Sequence, residues 1–233
     1  MAGLYSHVGN CDLNKFFYDA RKFICCVVFL SIGSAANSSP EIEYGNLQPL
    51  PPGTSICPPD DVYEVIRATF LVPPVDLQVR GITQRIPYRA EANPLVGSHG
   101  ETRTGTDGTT RFHAGTDLLG ERGETVRSIV PGEIAATGTS PHLGNFVILR
   151  GSAIVPPALP CAFDVLYAHL DSIGVSSGDN VEQGAALGTI GRTGNLSPGI
   201  PTHLHIELWA GPYQAGLDKR REFTRDIMKL YGW

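Results

Sequence analysis

The chain has 233 residues and a formal net charge of −5, and of its 18 Lys and Arg residues only Lys15, Lys22, Lys219 and Lys229 are lysine. That balance excludes a nucleic-acid binder, which would carry a basic stripe. Hydrophobic residues make up 42% of the chain, with 27 Gly and 18 Pro. It can therefore bury one core of ordinary size, with a turn-rich and mainly β character.

Arg21 and Lys22 precede Phe23–Gly33, an uncharged apolar run, and then Ser34-Ala35-Ala36. A spanning helix needs about 20 apolar residues, so this run is too short to cross comfortably. It has the charged, apolar, small order of a secretory signal, which assigns residues 1–36 to a leader cleaved after Ala36 or to an uncleaved anchor. Either way the chain is expected outside the cytoplasm, periplasmic or secreted. Cys11, Cys25 and Cys26 would leave with a cleaved leader, and Cys57 and Cys161 remain as a pair. In an oxidising compartment they form a bridge or stay as two buried thiols, and spacing does not choose between these.

Residues 37–92 open as a Pro-rich linker and go on to β-branched runs read as a helical turn and edge strands, interrupted at Pro73-Pro74. Residues 93–111 have almost no apolar content and read as a long loop. From Phe112 to Trp209, short β-type runs alternate with Gly turns, the pattern of an all-β domain over residues 93–212. Residues 213–233, with Leu217, Phe223, Ile227, Leu230 and Tyr231, read as a C-terminal helix.

Three segments carry chemistry. Thr202–Trp209 alternates strictly, so as a strand it puts Leu204, Ile206 and Leu208 on the core face. His203, His205, Glu207 and Trp209 then share the other face. In His113-Ala114-Gly115-Thr116-Asp117 an extended chain puts His113 and Asp117 on one face, with Gly115 leaving room for an ion or a backbone. Each pair alone is weak. Together, two imidazoles and a carboxylate make the three-ligand N/O set that catalytic zinc sites use with an open fourth position. His169 lies next to the end of the run Val165–Leu170 and by itself reads as a strand-end histidine. Glu207 reads equally as an acceptor that orients a neighbouring imidazole and as a solvated carboxylate. His99, His142 and Glu124 are assigned no chemistry.

In this order, His113-x3-Asp117, Tyr167-x-His169-Leu170 and His203-Leu204-His205 resemble the lysostaphin/LytM-type zinc metallopeptidases. So do Gly144-Asn145 and Gly178-Asp179-x-Val181-x2-Gly184. The resemblance covers roughly residues 94–210. It implies a mainly β fold, an antiparallel sheet with a groove over a zinc site. By the same resemblance His113, Asp117 and His205 would hold Zn2+, and His169 and His203 would be the catalytic histidines. Peptidoglycan stem-peptide cross-links would be the substrate, and any membrane contact would come only through an uncleaved N-terminal segment. Two departures affect substrate preference and location. The Pro-rich segment Gly151–Ala162 lengthens what reads as a loop beside the groove, and the lack of a recognisable wall-binding repeat suits a periplasm better than free secretion.

The residues also bear on other classes. Gly132-Glu133-Ile134 and Gly178–Gly188 look like biotinyl-carrier hairpins, but a carrier needs an acceptor lysine and none lies between Lys22 and Lys219. A non-catalytic family member that regulates another wall hydrolase is the main alternative. A zinc hydrolase acting on a different exported peptide would share the same motifs.

Overall fold

The computed structural model describes residues 47–57, 62–67, 72–75, 95–105, 107–155, 159–214 and 217–231. The expected leader and much of the expected linker lie outside these residues. Among them, no helix is long and apolar enough to cross a membrane.

Mainly antiparallel strands build the domain, in agreement with the expected fold class. The long strands β6 (Gly132–Ser140), β7 (Gly144–Val155), β8 (Leu159–Ile173) and β11 (His203–Trp209) lie side by side in the order β11-β8-β7-β6. Shorter strands complete a ten-stranded sheet: β1 (Ser55–Ile56), β4 (Thr116–Leu119), β5 (Thr125–Arg127), β9 (Asn180–Val181), β10 (Ala186–Ile190) and β12 (Thr224–Arg225). β1 runs parallel to β8, whereas the other pairings are antiparallel. A separate hairpin pairs β2 (Gly100–Thr104) with β3 (Thr110–His113).

Alternation along the strands gives the sheet two apolar faces. Val165, Tyr167, Leu204, Ile206 and Leu208 enter the larger core, and Ile148, Leu166, Ala168, Trp209 and Tyr213 form the smaller one. Leu204, Ile206 and Leu208 thus lie where the alternation of β11 predicts. Fully burying such a side chain stabilises the fold by roughly 1.5–3 kcal/mol.

Three segments depart from the sequence reading. Residues 93–111 are not one loop, because 100–104 and 110–113 pair as the β2–β3 hairpin. Their polar side chains hid a strand pair that depends on backbone bonds rather than on apolar burial. Gly151–Ala162 is not a loop beside the histidines either. It extends the β7–β8 hairpin through Val155↔Leu159, and Cys161 lies roughly 25 Å of extended strand from His169. The C-terminal segment is not one helix. It divides into α2 (Leu217–Phe223), the two residues of β12 and a 3-10 turn over Ile227–Tyr231 that buries Ile227, Met228 and Leu230. Pairing of Arg225 and Thr224 with Leu208 and Trp209 ends the helix. At the other end, α1 spans Val62–Arg67.

Two links tie the chain flanks to the sheet. Cys57 and Cys161 are disulfide-bonded, which selects the bridge over two thiols. On neighbouring strands, buried Arg150 and Asp164 face each other in a bidentate pair at 2.9 and 3.0 Å. Arg150 also donates to the Gln48 carbonyl, and Asp164 Oδ2 accepts the Tyr213 amide at 2.8 Å. Both ions are thereby satisfied, as burial demands.

Candidate metal centre

The site forms where β4 pairs with β11. Register sets His205 opposite Asp117 and His203 opposite Leu119. Gly115 brings the end of β3 to the same place. A Cβ there would lie 2.5 Å from the Ile206 carbonyl oxygen and 2.8 Å from His205 Cε1, so only glycine fits. Its room is filled by a backbone and an imidazole. His113, Asp117 and His205 converge as a result.

His113 Nε2, Asp117 Oδ1 and His205 Nδ1 form a triangle with edges of 3.2, 3.2 and 2.9 Å. All three residues are buried. Ligands about 2.0–2.1 Å from a tetrahedral zinc stand roughly 3.3 Å apart, so this N/N/O triangle fits one face of such a site. The outward atoms fit as well. His113 Nδ1–H donates to the Ser98 carbonyl at 2.9 Å, leaving the Nε2 lone pair inward. His205 Nε2–H donates to Glu207 Oε1 at 3.0 Å, which turns Nδ1 inward. Glu207 also accepts Trp209 Nε1–H at 2.8 Å and is fully buried. Of its two readings, the orienting acceptor holds.

Burial works against the charge of Asp117, but hydrogen bonds and charges of His113 and His205 hold its pKa well below the carboxylate range. Burial likewise raises that of Glu207, yet the hydrogen bonds from His205 and Trp209 and the charges of Arg220 and His205 together outweigh it and bring the value to about 2. Burial lowers the pKa of His113. His205 is raised despite burial, because Asp117 and Glu207 flank it.

His169 and His203 complete the cluster. Their rings are 5.1 Å apart, and the His169 ring is 5.7 Å from that of His205. His203 Nδ1–H donates to the Pro201 carbonyl at 2.8 Å, and His169 Nδ1–H to the Thr193 carbonyl at 2.9 Å. In each, Nε2 is left as an acceptor. Burial pushes the pKa of His203 down and that of His169 down to about 3. His203 Nε2 lies 3.5 Å from Asp117 Oδ1.

His169 gets there by a bulge. Val147 pairs with Tyr167 and Asn145 with Leu170, so Ala168 and His169 together oppose one residue of β7. His169 is the one non-glycine with positive φ (62°) among the described residues. Such strain at an ionisable side chain points to a site. Gly144 and Asn145, the first residues of β7, support it. Gly144 packs so close to Thr193 that a Cβ would lie 2.2 Å from its Oγ1, and Asn145 N–H donates to that Oγ1 at 2.8 Å.

All five sequence-selected residues therefore lie in one cluster. Among the unassigned histidines, His142 is exposed. His99 touches Thr224 at 3.0 Å and Phe112 edge-on, outside the cluster. Sequence reading missed Ser98, Thr193, Pro201 and Arg103. The first three act through backbone carbonyls, which no residue type advertises, and Arg103 lies in the segment read as a loop.

Residues 111–216 match the model of peptidase family M23. That stretch of the chain is similar to this family. Among known proteins, the cell division protein DipM of Caulobacter vibrioides is 32% identical over 109 residues, 46% of this chain and 16% of DipM. The peptidoglycan DD-endopeptidase ShyC of Vibrio cholerae is 29% identical over 100 residues, 43% of this chain and 21% of ShyC. The chain thus spans a small part of the curated relatives it matches. Among solved structures, a zinc-containing peptidase from Vibrio cholerae is 26% identical, covering 57% of this chain and 40% of that one at a TM-score of 0.43. The catalytic domain of lysostaphin from Staphylococcus simulans is 24% identical, covering 59% and 90% at a TM-score of 0.44.

Proposed function

We propose that this M23-like domain is an exported, zinc-dependent endopeptidase that hydrolyses peptide cross-links of bacterial peptidoglycan. The observation that carries this reading is the convergence of His113 Nε2, Asp117 Oδ1 and His205 Nδ1 within about a zinc tetrahedron's edge, with two further imidazoles beside them. The name of the Vibrio relative, a peptidoglycan DD-endopeptidase, supports the substrate class. Export is read from the Arg21–Ala36 pattern.

His113, Asp117 and His205 would hold the zinc. When bound, it polarises a peptide carbonyl and lets water ionise near neutral pH. His203 and His169 then supply the proton chemistry. Their Nδ1–H groups are engaged by Pro201 and Thr193, so both offer Nε2. An imidazole that starts neutral takes a proton from the attacking water at Nε2 and hands it to the leaving amine. Both rest neutral, so the other imidazole must first take a proton from solvent at Nε2 before it can donate to the oxygen that develops negative charge. Glu207 keeps His205 turned inward throughout.

The non-catalytic alternative is disfavoured because all five positions are filled and gathered. The test is a muropeptide profile of purified sacculi incubated with the protein, with and without a chelator. Chelator-sensitive conversion of cross-linked dimers to monomers is expected, and product masses identify the bond. An unchanged profile from zinc-loaded protein overturns the endopeptidase reading.

A further inference from the structure

The geometry points to Arg103 as the residue that makes Asp117 a one-oxygen ligand. This inference rests on the zinc reading above and concerns the same site. Arg103 Nη2 lies 2.5 Å from Asp117 Oδ2 and 2.8 Å from His113 Nε2, and its Nε donates to the Val96 carbonyl at 3.3 Å. Its side chain is 31% exposed, whereas that of Asp117 is 3% exposed.

The two carboxylate oxygens of Asp117 have separate partners. Oδ1 faces His113, His205 and His203. Oδ2 faces the guanidinium, an interaction between opposite charges that is stronger than a neutral hydrogen bond. A carboxylate with both oxygens available can chelate a cation, and adding a ligand atom that way closes the position a catalytic site keeps open. A donor anchored on Oδ2 prevents the rotation that chelation requires.

Arg103 has the anchorage for this. Val96 holds Nε while Nη2 reaches Asp117, so two points fix the plane of the guanidinium. Its hairpin is held at its base, where Arg221 pairs with Glu101 at 2.9 Å and His99 meets Thr224. The contact with His113 is of another kind. The Nε2 lone pair serves either Arg103 or a metal, so that contact is given up on metal binding while the one to Oδ2 persists. Arg103 is a positioning residue, acting through Asp117.

The fixed positive charge also opposes a dication, so affinity alone is a mixed readout. Coordination number is the clean one. Cobalt(II) would be titrated into the wild-type chain, Arg103→Met and Arg103→Lys, with visible absorption recorded and folding checked by near-UV circular dichroism. Four-coordinate cobalt absorbs severalfold more strongly than five-coordinate cobalt. The wild type is expected to give the strong spectrum, Arg103→Met the weak one, and Arg103→Lys a return toward the strong one. Arg103→Met should also lower kcat/KM by about 10–100-fold. A folded Arg103→Met protein with the wild-type spectrum overturns the assignment, as does an Arg103→Lys spectrum no different from that of Arg103→Met. Wild-type protein that takes up no cobalt overturns the zinc reading itself.

Discussion

Asp117 and His205 stand directly opposite each other across β4 and β11, with Oδ1 and Nδ1 2.9 Å apart. A cross-strand pair puts the two side chains at a separation set by the sheet, not by loop conformation. His205→Ala is therefore expected to remove bound zinc, read by elemental analysis, with little change in far-UV circular dichroism. His203→Ala should keep the zinc and lose turnover by about 10²–10⁴-fold. Zinc retained at full stoichiometry in His205→Ala would reverse the assignment.

Gly115 is the tightest constraint on that geometry. Because an added Cβ would meet the Ile206 carbonyl and the His205 ring, Gly115→Ala should destabilise the domain by about 1–3 kcal/mol. Denaturant unfolding measures this. An unchanged midpoint would mean that β3 and β11 can separate freely.

The Cys57–Cys161 bridge joins residues separated by 104 positions. Removing such a link from a small domain costs about 2–5 kcal/mol. Cys57→Ser/Cys161→Ser is expected to melt well below the oxidised wild type and to match the reduced wild type. Equal melting temperatures for oxidised and reduced protein would show that the bridge adds nothing.

His99 predicts a pH effect away from the cluster. Burial lowers its pKa to about 4, and Asp226 and Glu207 recover only part of that against His113 and Arg225. The unfolded chain binds this proton near pH 6.5, so stability is lost as pH falls from there toward 4. His99→Gln, compared with the wild type in chelator, should lose less melting temperature between pH 7.5 and 5. Parallel curves would remove His99 as a source of acid sensitivity.

How much of this was legible follows from the physics of each segment. β11 was readable because alternation is a local property, and it set both the core residues Leu204, Ile206 and Leu208 and the face of His203 and His205. The pairing of β11 with β4 was implied only by the chemistry of a shared ligand set. His169 shows where periodicity stops. Counting by twos from Tyr167, which lies in the larger core, would send His169 to that core. The bulge reverses the phase and restores Leu170 to that face. Arg103 was invisible for the opposite reason: its hairpin has too little apolar content to announce itself, and its value lies in one contact with a residue 14 positions away.

The Arg150–Asp164 pair has a mechanical consequence. Gln48 and Tyr213 lie on either flank of the domain in sequence, yet both bond to that one ion pair. Loosening either segment would leave the buried pair one hydrogen bond short, so the same charges clamp both to β7 and β8. One knot thus secures two stretches of chain that are far apart in sequence.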